Sequence, residues 1–197
     1  MSTSPTSSSP TSASTTSRIR LRHVQPDDYP ALHAMETDPT TSDTWRYRGQ
    51  LPPLEEYEAA LWQQTTAVLV VENIDDGTLA GYVHLHDVDW RAGHGYFSLY
   101  AGPHVRGRGT VMEGLMLFCD WVFGNYDLRW IYAHAFEHNI GQFSSGLRRG
   151  EAVHLGTLRN RVEVLGEPTD VHVIGIEREN WLNSPLRARL HRLQARR

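Results

Sequence analysis

The sequence predicts a single α/β domain in which a mixed, mostly antiparallel sheet is covered by helices on both faces. Three observations predict it. Strand-length apolar runs are separated by short turn-forming segments, the pattern of hairpins. At Thr110 the apolar spacing changes to steps of three and four, so a helix interrupts the strands. Finally, 197 residues suffice for one core plus tails, and no second domain is required.

Residues 1–17 hold only Met, Ser, Thr, Pro and Ala, with too little apolar surface to offset the entropy of ordering, so they read as a disordered leader. The domain spans 18–182. Its first strand begins at Arg18, where Ile19, Leu21 and His23 alternate with arginines. Pro26-Asp27-Asp28 opens a helix with acidic residues in its first turn, and Pro39 closes it. Residues 40–53 are aromatic and aperiodic, and a second helix starts near Leu54 with Glu55, Glu56 and Glu58. Strands follow over 67–72 and 79–87 around the turn Asp75-Asp76-Gly77-Thr78, and a third over 95–101 after Arg91-Ala92-Gly93-His94. A helix over 110–126 carries Met112, Leu115, Met116, Cys119, Val122 and Phe123 on its apolar face. Next come a strand over 129–136, a short helix over 139–149, and a final hairpin over 152–164 and 170–177 around Leu165-Gly166-Glu167-Pro168. Residues 183–197 form a basic tail or short amphipathic helix, with five arginines beside Leu186, Leu190 and Leu193.

A net charge of -4 argues against a protein built to coat nucleic acid, although an RNA-binding role for the C-terminal arginines would show as salt-sensitive retention. The single cysteine, Cys119, excludes an intrachain disulfide and fits a reducing compartment. It lies in an apolar run and reads as a core residue rather than a catalytic thiol. No run of 18 apolar residues and no secretion signal occurs, so the expected location is cytoplasmic, away from membranes.

The informative stretch is Pro103-His104-Val105-Arg106-Gly107-Arg108-Gly109-Thr110-Val111-Met112-Glu113, between a strand and an amphipathic helix. Glycines at 107 and 109 let the backbone turn sharply, and the first amides of the following helix point at whatever sits there. The helix dipole, Arg106 and Arg108 suit a pyrophosphate. A dinucleotide-binding loop needs Gly-x-Gly-x-x-Gly, and Gly114 falls two positions too late for it. No Gly-Lys-Ser/Thr occurs for a P-loop.

These residues resemble the GNAT N-acetyltransferases, whose Arg/Gln-x-x-Gly-x-Gly/Ala signature is met from Arg106 onward except that Val111 holds the last position. Pro103 and Glu113 complete a longer form that looks like the subgroup acetylating N-terminal amines of ribosomal proteins (Rim-type) and its antibiotic-modifying relatives. The resemblance implies a coenzyme A pyrophosphate on the backbone of Val105, Arg106, Gly107, Arg108, Gly109 and Thr110. It also implies that Asn139, at the head of a helix reaching Gly150, contacts the pantetheine arm; Asn there equally suits a helix N-cap. Gln142 and Glu151 depart from that subgroup pattern.

Acyl transfer to an amine needs a proton acceptor, oxyanion support and an exit for the thiolate. His84 and His86 share one face of a strand with Tyr82 and are candidate bases, with His134 and Glu72 as rivals. Trp45, Tyr47 and Tyr82 are candidates for the acceptor lining. Counting from Asn139 puts Gly146 where the family's acidic tyrosine would lie, so thiolate departure is expected to be direct or water-assisted. No metal is expected, since His84-x-His86 lacks further ligands at metal spacing. The resemblance thus implies an N-acetyltransferase using acetyl-CoA and an amine acceptor, acting as a monomer or homodimer. The competing reading is a coenzyme A binding module that has lost its chemistry and serves sensing or assembly.

Overall fold

In the computed structural model, which describes residues 18–40, 50–63, 65–107 and 109–195, seven strands form one sheet. They are β1 (Ile19–His23), β2 (Thr65–Asn73), β3 (Leu79–Asp89), β4 (His94–Ala101), β5 (Trp130–Phe136), β6 (Val153–Val164) and β7 (Glu167–Glu177). Their spatial order is β1-β2-β3-β4-β5-β7-β6. Every neighbouring pair is antiparallel except β4 and β5, which run parallel because a helix connects them. The sequence-predicted sheet is therefore present, and its one parallel joint positions the site.

Among the described residues six α-helices accompany the strands: α1 (Tyr29–Glu36), α2 (Leu54–Gln63), α3 (Thr110–Asn125), α4 (Ser144–Arg149), α5 (Arg178–Leu182) and α6 (Pro185–Gln194). Strand alternation divides the core between two faces. Leu32 of α1 with Tyr57 and Leu61 of α2 cover Val68, Val70, Tyr82 and Tyr100 on one face. On the other, Leu115, Phe118, Val122 and Phe123 of α3 cover Leu69, Val83, Leu85, Phe97, Ile131 and Ile174. A Cβ added at Gly114 would lie 2.5 Å from Val71 Cγ2, so this glycine lets α3 sit directly on β2 rather than serving a nucleotide loop.

Some boundaries differ from the sequence prediction. Pro26–Asp28 is a 3-10 turn preceding α1, where proline at the start removes an amide with no helical partner. The segment Glu137–Phe143 is likewise 3-10, so Asn139 lies inside a helical segment that starts two residues earlier and is not its N-cap. The short helix α5 was not predicted. Residues 1–17 and 41–49, including Trp45 and Tyr47, lie outside the described residues, as does Arg108.

In the basic C-terminal segment α6 is docked on α3: Leu190 is 2 % exposed, and Asp120 of α3 accepts hydrogen bonds from Trp181 Nε1 (2.8 Å), Arg187 Nε (2.6 Å) and His191 Nε2. Burial alone would raise the Asp120 pKa, yet these donors outweigh it and hold the carboxyl below its ordinary value. A depressed folded value means the stabilisation is present above the ordinary aspartate range and is lost as pH falls through the folded value. Asp120→Ala is expected to lower Tm at pH 7 by roughly 4–8 °C, from about 2 kcal/mol of lost acceptors, and the gap to wild type should close in strong acid. Thermal melts across pH check this, and an unchanged Tm at pH 7 would remove Asp120 as the anchor.

Candidate functional site

The loop after β4 begins at Gly102, makes the 3-10 turn Pro103–Val105, and enters α3 through Gly107 (φ 74°) and Gly109 (φ 76°). Both values lie in the left-handed region that other L-residues adopt with strain. Gly109 is the N-cap, and its carbonyl accepts from the amide of Glu113 at 3.1 Å. The preceding amides of the first turn have no acceptor within the helix and face outward in the positive field of its dipole. Arg106 is tied across the loop by Nε to Ala101 O (3.3 Å) and Nη1 to Thr40 Oγ1 (3.2 Å). The amide of Val105 already donates to Gly102 O at 3.0 Å, so Val105 offers its carbonyl and side chain but not its N–H.

Beside this loop the sheet opens. The strands β4 and β5 pair only at His94 with Trp130, Gly95 with Ile131 and Tyr96 with Tyr132, and beyond that they diverge. Residues 97–101 and 133–136 therefore face each other across a gap, leaving backbone groups on the facing edges that call for hydrogen-bond partners. A cleft of about 940 Å³ occupies the gap and runs to the loop, lined by Arg106, Gly107, Gly109 and Met112 at one end and by Phe136, Asn139, Gln142 and Phe143 along its β5 wall. Such a volume accommodates a large ligand. A second cavity of about 640 Å³ lies behind the loop toward α6, with Arg18, His104, Glu113 and Arg189 in its lining, and there Glu113 Oε1 is buried with no hydrogen-bond partner among the described residues.

On the sheet face shared with α1 and α2, imidazoles and phenols line the cleft. His86 stacks on Tyr96 (ring centroids 6.1 Å), and Tyr96 touches Tyr132 (5.5 Å) and His134 (5.2 Å). A bulge in β3, where residues 87 and 88 oppose only Gly95, puts Asp87 at φ 47° and folds its carboxylate back onto its neighbour. Asp87 Oδ2 lies 2.7 Å from His86 Nδ1, and His86 Nε2 lies 3.0 Å from Ser98 Oγ. A carboxylate only accepts, so Nδ1 carries the proton, and in its neutral form the ring turns its Nε2 lone pair to the Ser98 hydroxyl. Across the gap, burial first and the Arg161 charge second lower the His134 pKa below the ordinary imidazole value, while Asp87 acts in the opposite sense.

The predicted residues divide accordingly. His86, His134, Asn139, Arg106, Gly107 and Gly109 line the one cleft. His84 is fully buried against Tyr82 and His86 and does not line it. Tyr82 is buried too, its hydroxyl donating to Glu36, which also accepts from Tyr57 at 2.5 Å. Glu72 is remote: burial opposes its charge, but Arg20 (2.6 Å) and Arg22 lock it and lower its pKa, the reverse of what a general base requires. Ser98, Tyr96, His138 and Arg161 line the cleft but were missed. The signal for Ser98 was the hairpin register, which seats it opposite His84 and diagonal to His86.

The domain model described as "Acetyltransferase (GNAT) domain" matches residues 18–144. No curated protein matches the chain. Among solved structures, spermidine N-acetyltransferase from Vibrio cholerae in complex with CoA and spermine is similar with a TM-score of 0.74 at 19 % identity, covering 85 % of this chain and 99 % of that one. A chimera of spermidine N-acetyltransferase SpeG from Vibrio cholerae and hSSAT is similar with a TM-score of 0.72 at 20 % identity, covering 85 % of this chain and all of that one. At such identities the likeness concerns the fold.

Proposed function

The chain belongs to the GNAT acetyltransferase family, and we propose that it moves an acetyl group from acetyl-CoA to a primary amine, with the donor in the gap between β4 and β5. The observation that carries this reading is the joint between two features: a cleft of about 940 Å³ with exposed strand edges, ending at the helix N-terminus and the two left-handed glycines of the Arg106 to Thr110 loop. A pyrophosphate fits the loop amides and Arg106, and an extended amide-bearing arm fits strand edges that still call for partners. Asn139 and Gln142 stand along the wall that such an arm would follow.

In this reading His86 is the base. Its Nε2 takes a proton from the acceptor nitrogen, directly or through the Ser98 hydroxyl, as that nitrogen attacks the thioester carbonyl. The tetrahedral intermediate then expels the coenzyme A thiolate, leaving an amide. The proton held on His86 is the one the thiolate finally needs, which suits a site whose α4 has Gly146 rather than a tyrosine. Pro103 and Glu113 favour the Rim-type, N-terminal-amine subgroup, whereas the solved relatives above are named for polyamines. A coenzyme A binding module without chemistry is the competing reading.

Isothermal titration should give heat for both coenzyme A and acetyl-CoA, and free thiol should appear faster with an amine present than with acetyl-CoA alone. No heat for either ligand would overturn the donor site. Heat without amine-dependent thiol release would favour the binding module.

A further inference from the structure

The charges around the cleft bear on which amine it accepts. Among the described residues that line it there is no aspartate or glutamate, while the guanidinium groups of Arg106 and Arg161 are present. Arg106 belongs to the loop and is tied to Ala101 and Thr40, which leaves Arg161 as the guanidinium on the acceptor side. No ion pair of Arg161 is found among the described residues.

Arg161 is aimed by a second bulge. Leu158 pairs with Val171 and Val162 with Thr169, so residues 159–161 of β6 oppose only Asp170 of β7. Asn160 takes φ 47° there, and its amide donates to Asp170 Oδ1 at 2.7 Å. A bulge stapled this way turns the edge strand toward the cleft. Arg161 lines the cleft beside His134, whose imidazole feels its charge.

Two consequences follow from electrostatics. A polyamine carries several positive charges and meets the Arg161 charge here, while the nearby Asp87 carboxylate is engaged by His86 and does not line the cleft. An amine with an anionic group is attracted, and the same positive field favours the neutral, nucleophilic form of its nitrogen. We propose that the acceptor is a small primary amine that also carries a carboxylate or a phosphate, held by Arg161 while its nitrogen faces His86 and Ser98. This rests on the reading of the cleft as the acyl-transfer site.

The test measures thiol release by the full chain at saturating acetyl-CoA for matched pairs: amino acids against their amides, phosphoethanolamine against ethanolamine, with spermidine alongside. The anionic member of at least one pair is expected to exceed its neutral partner about tenfold or more in kcat/KM, with spermidine below it. Whichever pair has the larger ratio separates carboxylate from phosphate. Arg161→Ala should bring that ratio close to one, chiefly by raising KM for the anionic member, with the calorimetric affinity for coenzyme A unchanged, and Arg161→Lys should retain part of it. Equal turnover within both pairs, preference for spermidine, or no release with any anionic amine by a chain that binds coenzyme A would overturn the proposal. So would a ratio that survives Arg161→Ala, or a variant that weakens coenzyme A instead, which would assign Arg161 to the donor. Failure of the wild-type chain to bind coenzyme A is a different result, since it removes the donor site itself.

Discussion

Replacing Gly109 with valine is expected to raise the Kd for coenzyme A by about a hundredfold, and with alanine about tenfold, in isothermal titration. Gly109 holds φ 76° at the N-cap of α3. An L-residue at such an angle costs about 1–2 kcal/mol, more for a β-branched one, and relieves the strain by rotating the peptide units on either side. In the proposed function those units carry the amides that seat the donor's phosphates. Space is not the obstacle, because a Cβ at this position meets no atom within 4 Å. The folded chain therefore bears only the strain, with a Tm lower by roughly 2–8 °C, and the larger loss falls on binding. Unchanged affinity in a folded Gly109→Val chain would sink the phosphate assignment, because the backbone direction is what distinguishes this loop from an ordinary turn.

Much of the fold was legible because hairpins and the amphipathic α3 are local events. The turn at Asp75-Asp76-Gly77-Thr78 and the apolar steps from Met112 to Phe123 each specify their element within a dozen residues. The loop was legible for the same reason, as its glycines and Arg106 are contiguous. The face proposed to carry the chemistry was not, since it depends on register. Ser98 becomes a partner of His86 only through the β3–β4 pairing and a bulge that no pattern of alternation announces. Arg161 likewise reads as one more polar residue of an exposed strand until the bulge at Asn160 turns that strand toward the cleft. Glu72 misled for the opposite reason. A carboxylate among strand residues looks available in sequence, and only the sheet order brings Arg20 and Arg22 of β1 onto it.

Both bulges flank the cleft, and each is held by an aspartate: Asp87 turns back onto His86, and Asp170 holds the amide of Asn160. Asp87 and Asp170 thus serve to orient the proposed base and guanidinium, and neither lines the cleft. That division of labour is what links the base assignment to the charge preference of the acceptor.

His86→Ala is therefore expected to lower kcat by about 10²–10³ while leaving coenzyme A affinity intact, which is the range for loss of a positioned general base. Its ring lines the cleft, with Asp87 fixing the tautomer and Ser98 3.0 Å from the basic nitrogen. Ser98→Ala should cost about tenfold if the hydroxyl relays the proton, and almost nothing if the amine reaches the ring directly. His134→Ala discriminates the rival: burial and Arg161 keep that imidazole neutral at pH 7, so it too has a free lone pair, but among the described residues no hydrogen bond to a carboxylate orients it. Steady-state rates for the three variants, with calorimetry to verify donor binding, rank the assignments. If His86→Ala keeps its kcat while His134→Ala loses it, the base lies on the β5 wall, and the Asp87 bulge serves the hairpin rather than the chemistry.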